Sequence, residues 1–239
     1  MKDGPARRAG RPRGFDRDAA LEAAMFAFWR RGFDAVSVAE LTSLMGIAAP
    51  SLYAAFGDKR SLFREVIYAY HRDYGVFFDE ALSAETTVRR GVDRALRAAA
   101  VEYTHPSRPP GCLVLSAAVN CTTKSADVEA LLRKRREANV AALRDRISAD
   151  VTDGVLPAET RADGLARYVG AVLQGMSQQA RDGASAEDLL TVAELAMTAW
   201  PSDEPRSDRT QPYPRDATAA RPPTVQNGFD VGDREDRVS

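Results

Sequence analysis

Histidine and cysteine are scarce in this chain, and each scarcity removes a class of function. His71 and His105 are the only histidines, and neither sits in a Cys or His spacing that would hold zinc. A phosphate-binding glycine loop is also missing. Glu102 and His105 form a single E-x-x-H unit, whereas a di-iron helical bundle needs a second unit and further glutamates. Catalysis therefore lacks its usual parts, and no enzyme, cofactor or metal is expected. Cys112 and Cys121 are too few for a disulfide framework, which fits a reducing compartment. No apolar run approaches the roughly 20 residues that span a bilayer, and the basic start has no hydrophobic segment behind it. A cytoplasmic protein without a membrane partner is expected. Alternating β-branched runs are few and no internal repeat is evident, so an all-α fold is left.

What is present is a 239-residue chain with 44% apolar and 28% charged residues, enough for a sizeable core in one or two domains. Its net charge is −1, yet its first 17 residues carry six basic and two acidic side chains, a local charge of +4. This arm, residues 1–14, is rich in Gly and Pro and poor in apolar residues, so it is expected to stay flexible until it meets a polyanion. Arg11 and Arg13 are its expected contacts, along a phosphate backbone or in a minor groove.

Directly behind the arm, residues 32–63 fit a short helix, a glycine turn and a second short helix. Ser37 caps the first and Glu40 completes an S-x-x-E capping box. Val38, Leu41, Leu44 and Met45 recur at spacings of three and four, giving one apolar face. Gly46 can end the helix in a left-handed conformation, and Pro50 is tolerated only in the first turn of the next, which should run from Ala48 or Ala49 to about Phe56. Ile47, Leu52 and Phe56 then face inward. Ala49, Ser51, Tyr53 and an alanine at 54 or 55 face solvent, a thin surface able to sit in a major groove about 12 Å wide. A preceding helix, capped by Asp16 and ended by Gly32 behind Arg30 and Arg31, supplies Leu21, Met25 and Phe28 to a three-helix core over residues 15–57. That core is small and should lean on the next helix.

Asp58 can cap this next helix, with apolar positions from Leu62 to Leu82, which would connect two domains across residues 58–84. Residues 85–200 read as helices over 86–104, 112–121, 126–152, 158–181 and 186–200, about nine helices in the whole chain. Beyond Trp200, residues 201–239 hold six of the chain's 13 prolines amid mixed charge and are expected to be disordered.

The segments GRPRGFD, AALEAAMFAFWRRGFDAVSV and AELTSLMGIAAPSLYAAFGDKRSLF closely resemble the amino-terminal domain of the tetracycline-repressor (TetR) family of bacterial transcriptional regulators, over about residues 11–70. The resemblance implies a helix-turn-helix DNA-binding domain followed by a larger helical domain for effector binding and dimerisation. It implies backbone contacts by Tyr53 and Lys59 and closest approach to the bases by Ala49, Pro50 and Ser51. With Ser37, Arg11 and Arg13, these make up the expected DNA-facing set. Many relatives carry a serine at the position of Ala48 and larger side chains at those of Ala54 and Ala55; an alanine offers at most a thymine-methyl contact.

Two late helices carry association stripes. Leu165, Val169, Val172, Leu173 and Met176 form one, with Gly170 and Gly175 allowing close approach, and Leu189, Ala193, Ala196, Met197 and Trp200 form the other. The pattern fits burial within one protomer as well as a four-helix dimer seam; the resemblance favours the seam. A homodimer would read a pseudo-palindromic operator, with recognition helices roughly 34 to 36 Å apart or a multiple of it. Tyr74, Phe77, Phe78 and Tyr103, with Cys112, Leu115, Val119, Val172 and Met176, are candidates to line a small-molecule effector pocket, or equally to be plain core. Cys112 follows PPG at a candidate helix start, where free amides can lower a thiol pKa and permit a redox or electrophile sensor, although a buried free cysteine is more commonly a plain core residue. The function expected is a sequence-specific repressor released from DNA by an effector. The alternatives are an all-helical interaction adaptor, which leaves the basic arm and Lys59 unexplained, and a helical-bundle enzyme.

Overall fold

A computed structural model describes residues 15–118 and 121–201; Arg11, Arg13, Val119 and the proline-rich segment from 202 onward lie outside the described residues. Every regular element among the described residues is helical. In chain order they are α1 (Arg17–Arg31), α2 (Val38–Met45), α3 (Ala49–Phe56), α4 (Lys59–Tyr70), a π-helical turn (His71–Gly75) and α5 (Phe77–Ser83). There follow α6 (Val88–Tyr103), α7 (Leu113–Ser116), a 3-10 turn (Thr123–Ser125), α8 (Ala126–Thr152), α9 (Ala162–Arg181) and α10 (Ala186–Thr198).

Local chemistry accounts for most of the boundaries. Asp16 accepts the amides of Asp18 and Ala19 at 3.0 and 3.1 Å and so starts α1. Ser185 and Asp188 cap α10 reciprocally. Three boundaries differ from expectation. The single helix expected over 58–82 is interrupted by the π-helical turn, which adds a residue between Tyr70 and Phe77 and rotates the two aromatic groups apart. Residues 112–121 give only the short α7, so Cys112 and Cys121 do not share a helix. Helix α9 begins at Ala162 rather than 158, because a turn closed by the Thr160 amide on the Pro157 carbonyl at 2.9 Å occupies the intervening residues.

Two apolar cores result. The first gathers Leu21, Met25, Phe28, Phe33, Leu41 and Leu52 from α1 to α3 and extends through α4 to Leu113, Val128 and Leu132 of α7 and α8. The small helical triplet therefore leans on two later segments as well as on α4. Trp29, outside the apolar stripe expected for α1, is 2% exposed there, with its ring 4.8 Å from that of Tyr70. Leu44, expected inside, is 53% exposed: in a two-turn helix the contact with α1 is satisfied by Leu41 and Met45.

The second core takes up much of the expected association stripe. Leu189 and Ala193 are fully buried within the protomer, and Ala196 and Trp200 nearly so, packed with Val92, Leu96 and Ala99 of α6. Val169 is buried, and Leu165, Leu173 and Met197 pack partly against the same core. Periodic apolar spacing marks a buried face and does not say which chain buries it.

Polar contacts join the end of α1 to the later helices. The Phe33 amide donates to the Ala117 carbonyl at 2.9 Å. Arg181, at the end of α9, donates to the carbonyls of Trp29 and Arg30 at 3.2 and 3.3 Å. Asp34 accepts the Thr122 amide and hydroxyl at 2.7 and 2.8 Å and the Ser125 hydroxyl. Burial alone would raise the Asp34 pKa, but these donors and the charge of Lys59 hold it below the usual carboxylate range.

Candidate DNA interface and inner cavity

Helices α2 and α3 meet at 91°, within the geometry of a helix-turn-helix. Ser37 accepts the Glu40 amide at 3.1 Å, as the capping motif requires. The reciprocal half of the box is not formed, because the Glu40 carboxylate pairs with Arg31 instead and ties α2 to the end of α1. Gly46 adopts φ 65° and ψ 30°; its amide reaches the Ser43 carbonyl and that of Ile47 reaches the Thr42 carbonyl at 3.1 Å. That double closure is the Schellman motif, and it reverses the chain so that α3 begins three residues later.

Helix α3 is held from below by Leu52 and Phe56, both buried, and at its end by Arg17, whose guanidinium lies 4.4 Å over the Phe56 ring and pairs with Glu65. Its outer face carries Ala49, Pro50, Tyr53 and Ala54, all exposed, with Ser51 half-buried. No charged side chain occurs on this helix. Tyr53 is 51% exposed. Lys59 opens α4 beside this face, but its ammonium is turned inward, 4.3 Å over the Phe33 ring. Desolvation lowers its pKa, partly offset by Asp34.

A cavity of about 120 Å³, partly open to solvent, lies where α4, the π-helical turn and α5 face α8 and α9. Phe77, Phe78, Tyr103, Cys112 and Leu115 line it, as expected. Tyr74 does not: the π-helical turn directs it to the first core, where its ring stands 5.6 Å from Trp29 and its hydroxyl donates to Glu22 at 3.1 Å. Val172 and Met176 are also absent from the lining, with Met176 sealed in the second core one turn past Leu173. Val169 and Leu173, expected at a dimer seam, line the cavity. The Tyr70 hydroxyl donates to the Cys112 thiol at 3.2 Å. Burial pushes that thiol's pKa up, overcoming the hydrogen bonds that favour the thiolate, which favours the core reading of Cys112 over a low-pKa sensor.

Comparison with known proteins agrees with the helix-turn-helix geometry. The sequence model of the bacterial regulatory proteins of the tetR family matches residues 20–66. HTH-type transcriptional repressor ComR of Escherichia coli (strain K12) is 35% identical over 199 residues, covering 80% of this chain and 92% of its own. This chain belongs to the TetR family. HTH-type transcriptional repressor BdcR of the same strain is 33% identical over 190 residues, covering 80% of this chain and 91% of its own. A cysteine mutant of the TetR family transcriptional regulator CifR, solved in complex with 26bp double-strand operator DNA, is 42% identical, covers 80% of this chain and all of that one, and superposes with a TM-score of 0.77.

Within this TetR-family chain, the residues that tie α1 to the later helices carry no signal in the sequence. Asp34 and Arg181 belong to no periodic pattern, and their partners are 88 to 152 residues away. Arg135, Arg136 and Asn139 of α8, which face the cavity, look like a solvated helix face in the sequence. No helix among the described residues is long and apolar enough to cross a membrane, and no group of three or more His, Cys, Asp or Glu there is placed to hold a metal.

Proposed function

We propose that this TetR-family regulator is a repressor that docks α3 in the major groove of a pseudo-palindromic operator as one half of a homodimer, and that a small molecule in the inner cavity releases it. The observation that carries the reading is the exposed, uncharged face of Ala49, Pro50 and Tyr53 on a helix set at 91° to its partner, since small residues admit close approach to base edges. Tyr53 and Lys59 contact flanking phosphates, Lys59 by leaving the Phe33 ring, and the basic arm with Arg11 and Arg13 adds sequence-independent attraction. The operator-bound CifR relative supports the same docking.

The dimer surface is assigned anew. Gly164, Arg167, Ala171, Gln174 and Gln178 form an exposed stripe on α9, and a Cβ at Gly175 would meet nothing within 4 Å. Thr191 and Leu195 are exposed on α10, Leu195 by 63%. We assign the seam to these outward faces. A ligand that fits only one arrangement of α4, the π-helical turn and α5 biases the separation of the paired reading heads.

Selection of bound sequences from randomised duplex DNA tests the reading. The expected product is a pseudo-palindrome whose half-sites lie about one helical turn, or a multiple of it, apart, bound with an affinity that falls steeply with salt. Enrichment of no sequence, by a protein that stays monomeric, refutes it.

A further inference from the structure

The charged groups along the cavity have one sign. Its lining includes Arg135, Arg136 and His71 and contains no aspartate or glutamate. Elsewhere in the described residues Arg17 pairs with Glu65 and Arg108 with Glu102, while Arg146 and Arg181 are each held by two backbone carbonyls. Neither cavity arginine pairs with a carboxylate among the described residues. Arg136 donates one bond, to the Val114 carbonyl at 3.0 Å, which fixes its guanidinium against the wall and leaves most of its donors unused. Arg135 lies at the rim, 5.3 Å over the ring of the exposed Tyr68, a contact that leaves the edges of the guanidinium free to turn toward the cavity mouth. Asn139, one turn along α8 from Arg135, adds an amide. His71 is the exception that has a partner, with Nε2 3.5 Å from Asp79.

The opposite walls are apolar: Ile67, Phe77, Phe78, Val169 and Leu173. An anion in such surroundings is stable only if it is paired and hydrogen-bonded, and a cation here would meet no counter-charge. A planar guanidinium fork suits a carboxylate in particular. A cavity of about 120 Å³ is close to the roughly 150 Å³ that accommodates benzene in an apolar protein interior.

We propose that the cavity takes a small amphipathic carboxylate, a single ring or short aliphatic body between Phe77, Phe78 and Leu173, with its carboxylate on Arg135 and Arg136. The proposal gives a chemical class to the effector of the repressor and rests on that reading for any effect on DNA, although binding itself is a property of the free protein.

Calorimetric titration of the full chain with benzoate, benzamide and benzylamine, which share a ring and differ in charge, tests it. Benzoate should bind roughly tenfold or more tighter than benzamide, the difference a charge-assisted hydrogen bond supplies, and benzylamine should not bind. Arg135→Met should reduce the preference for benzoate and leave benzamide unchanged, whereas Arg135→Lys should keep more of the preference. Arg136→Gln, which removes the charge from the second arginine, should likewise reduce the preference. Binding of benzamide or benzylamine as tightly as benzoate, binding of none of the probes, or a preference that survives both charge-removing substitutions overturns the proposal. Operator binding without ligand is measured in parallel. Benzoate binding by a protein that selects no duplex refutes the repressor reading alone, and operator binding without a carboxylate preference refutes the cavity assignment alone.

Discussion

The most searching test of how the reading head is joined to the rest of the protein is replacement of Asp34. Its carboxylate accepts the Thr122 amide at 2.7 Å, the Thr122 hydroxyl at 2.8 Å and the Ser125 hydroxyl, and with them fastens the link between α1 and α2 to the turn that precedes α8. A hydrogen bond to a charged group contributes about 1.5 to 3 kcal/mol, less where the acceptor is partly solvated and its donors can turn to water. Asp34 is half-buried, so the bonds do not add at full value, and Asp34→Ala should cost about 2 to 3 kcal/mol in urea unfolding. Asp34→Asn keeps one acceptor oxygen and should cost about 1 to 2 kcal/mol. The pH dependence has a definite sign. Because the folded pKa of Asp34 lies below 3.8, its contribution is fully present above that value and is lost as pH falls through the folded pKa. Asp58, Asp73 and Asp188 are depressed as well, so the readout is the difference between wild type and Asp34→Asn, which should shrink on acidification below about pH 3.8. Amide exchange at Thr122 should quicken in both variants. Stabilities within about 0.5 kcal/mol of wild type for Asp34→Ala would refute the reasoning, since that is what an uninvolved surface site gives.

Two glycines make a contrasting pair. Gly111 has φ +77° and an added Cβ would stand 2.6 Å from the Ser177 carbonyl oxygen, so Gly111→Ala should cost about 2 to 5 kcal/mol, whereas Gly46 at φ +65° has nothing within 4 Å and Gly46→Ala should cost only about 1 to 2 kcal/mol. Thermal or urea unfolding orders them. Tyr53→Phe should weaken operator binding roughly three- to tenfold by gel shift without altering the salt slope, because it removes a neutral hydrogen bond, whereas Lys59→Gln should lower that slope by about one for each phosphate left without its cation. Leu195→Asp should shift the protein to monomer in analytical ultracentrifugation while leaving its far-UV circular dichroism intact, as Leu195 is 63% exposed in the protomer. Iodoacetamide at neutral pH should label Cys112 far more slowly than a free thiol with the ordinary pKa of about 8.5, since burial holds its pKa up and the Tyr70 hydroxyl sits on the sulfur; mass spectrometry of the peptides reads this directly.

The features that the sequence disclosed are those whose causes are local. Ser37, Gly46 and Pro50 act within a few residues of themselves, so the start of α2, its left-handed end and the start of α3 can all be placed from residue chemistry alone. The capping box failed in its second half for a reason that is not local: Arg31, nine residues from Glu40 and on another helix, offers a full charge where the Ser37 amide offers a dipole. Tyr74 and Phe77 sat on one stripe of an expected continuous helix, and the π-helical turn sent them to different cores, since a single inserted residue rotates the next helical segment by about 100°. The late helices show the deepest ambiguity. Leu189, Ala193 and Leu195 all belong to α10, and hydrophobic spacing favours the first two as the important face; that face is spent inside the protomer, and Leu195 is the one left exposed. Arg135 and Arg136 invert the same lesson, because in α8, with no single apolar face, two successive arginines look solvated until the fold brings Phe77 and Leu173 opposite them. A charged residue becomes a binding group when the neighbours that would otherwise neutralise it are absent, and that absence is a property of the tertiary arrangement which one-dimensional periodicity does not contain.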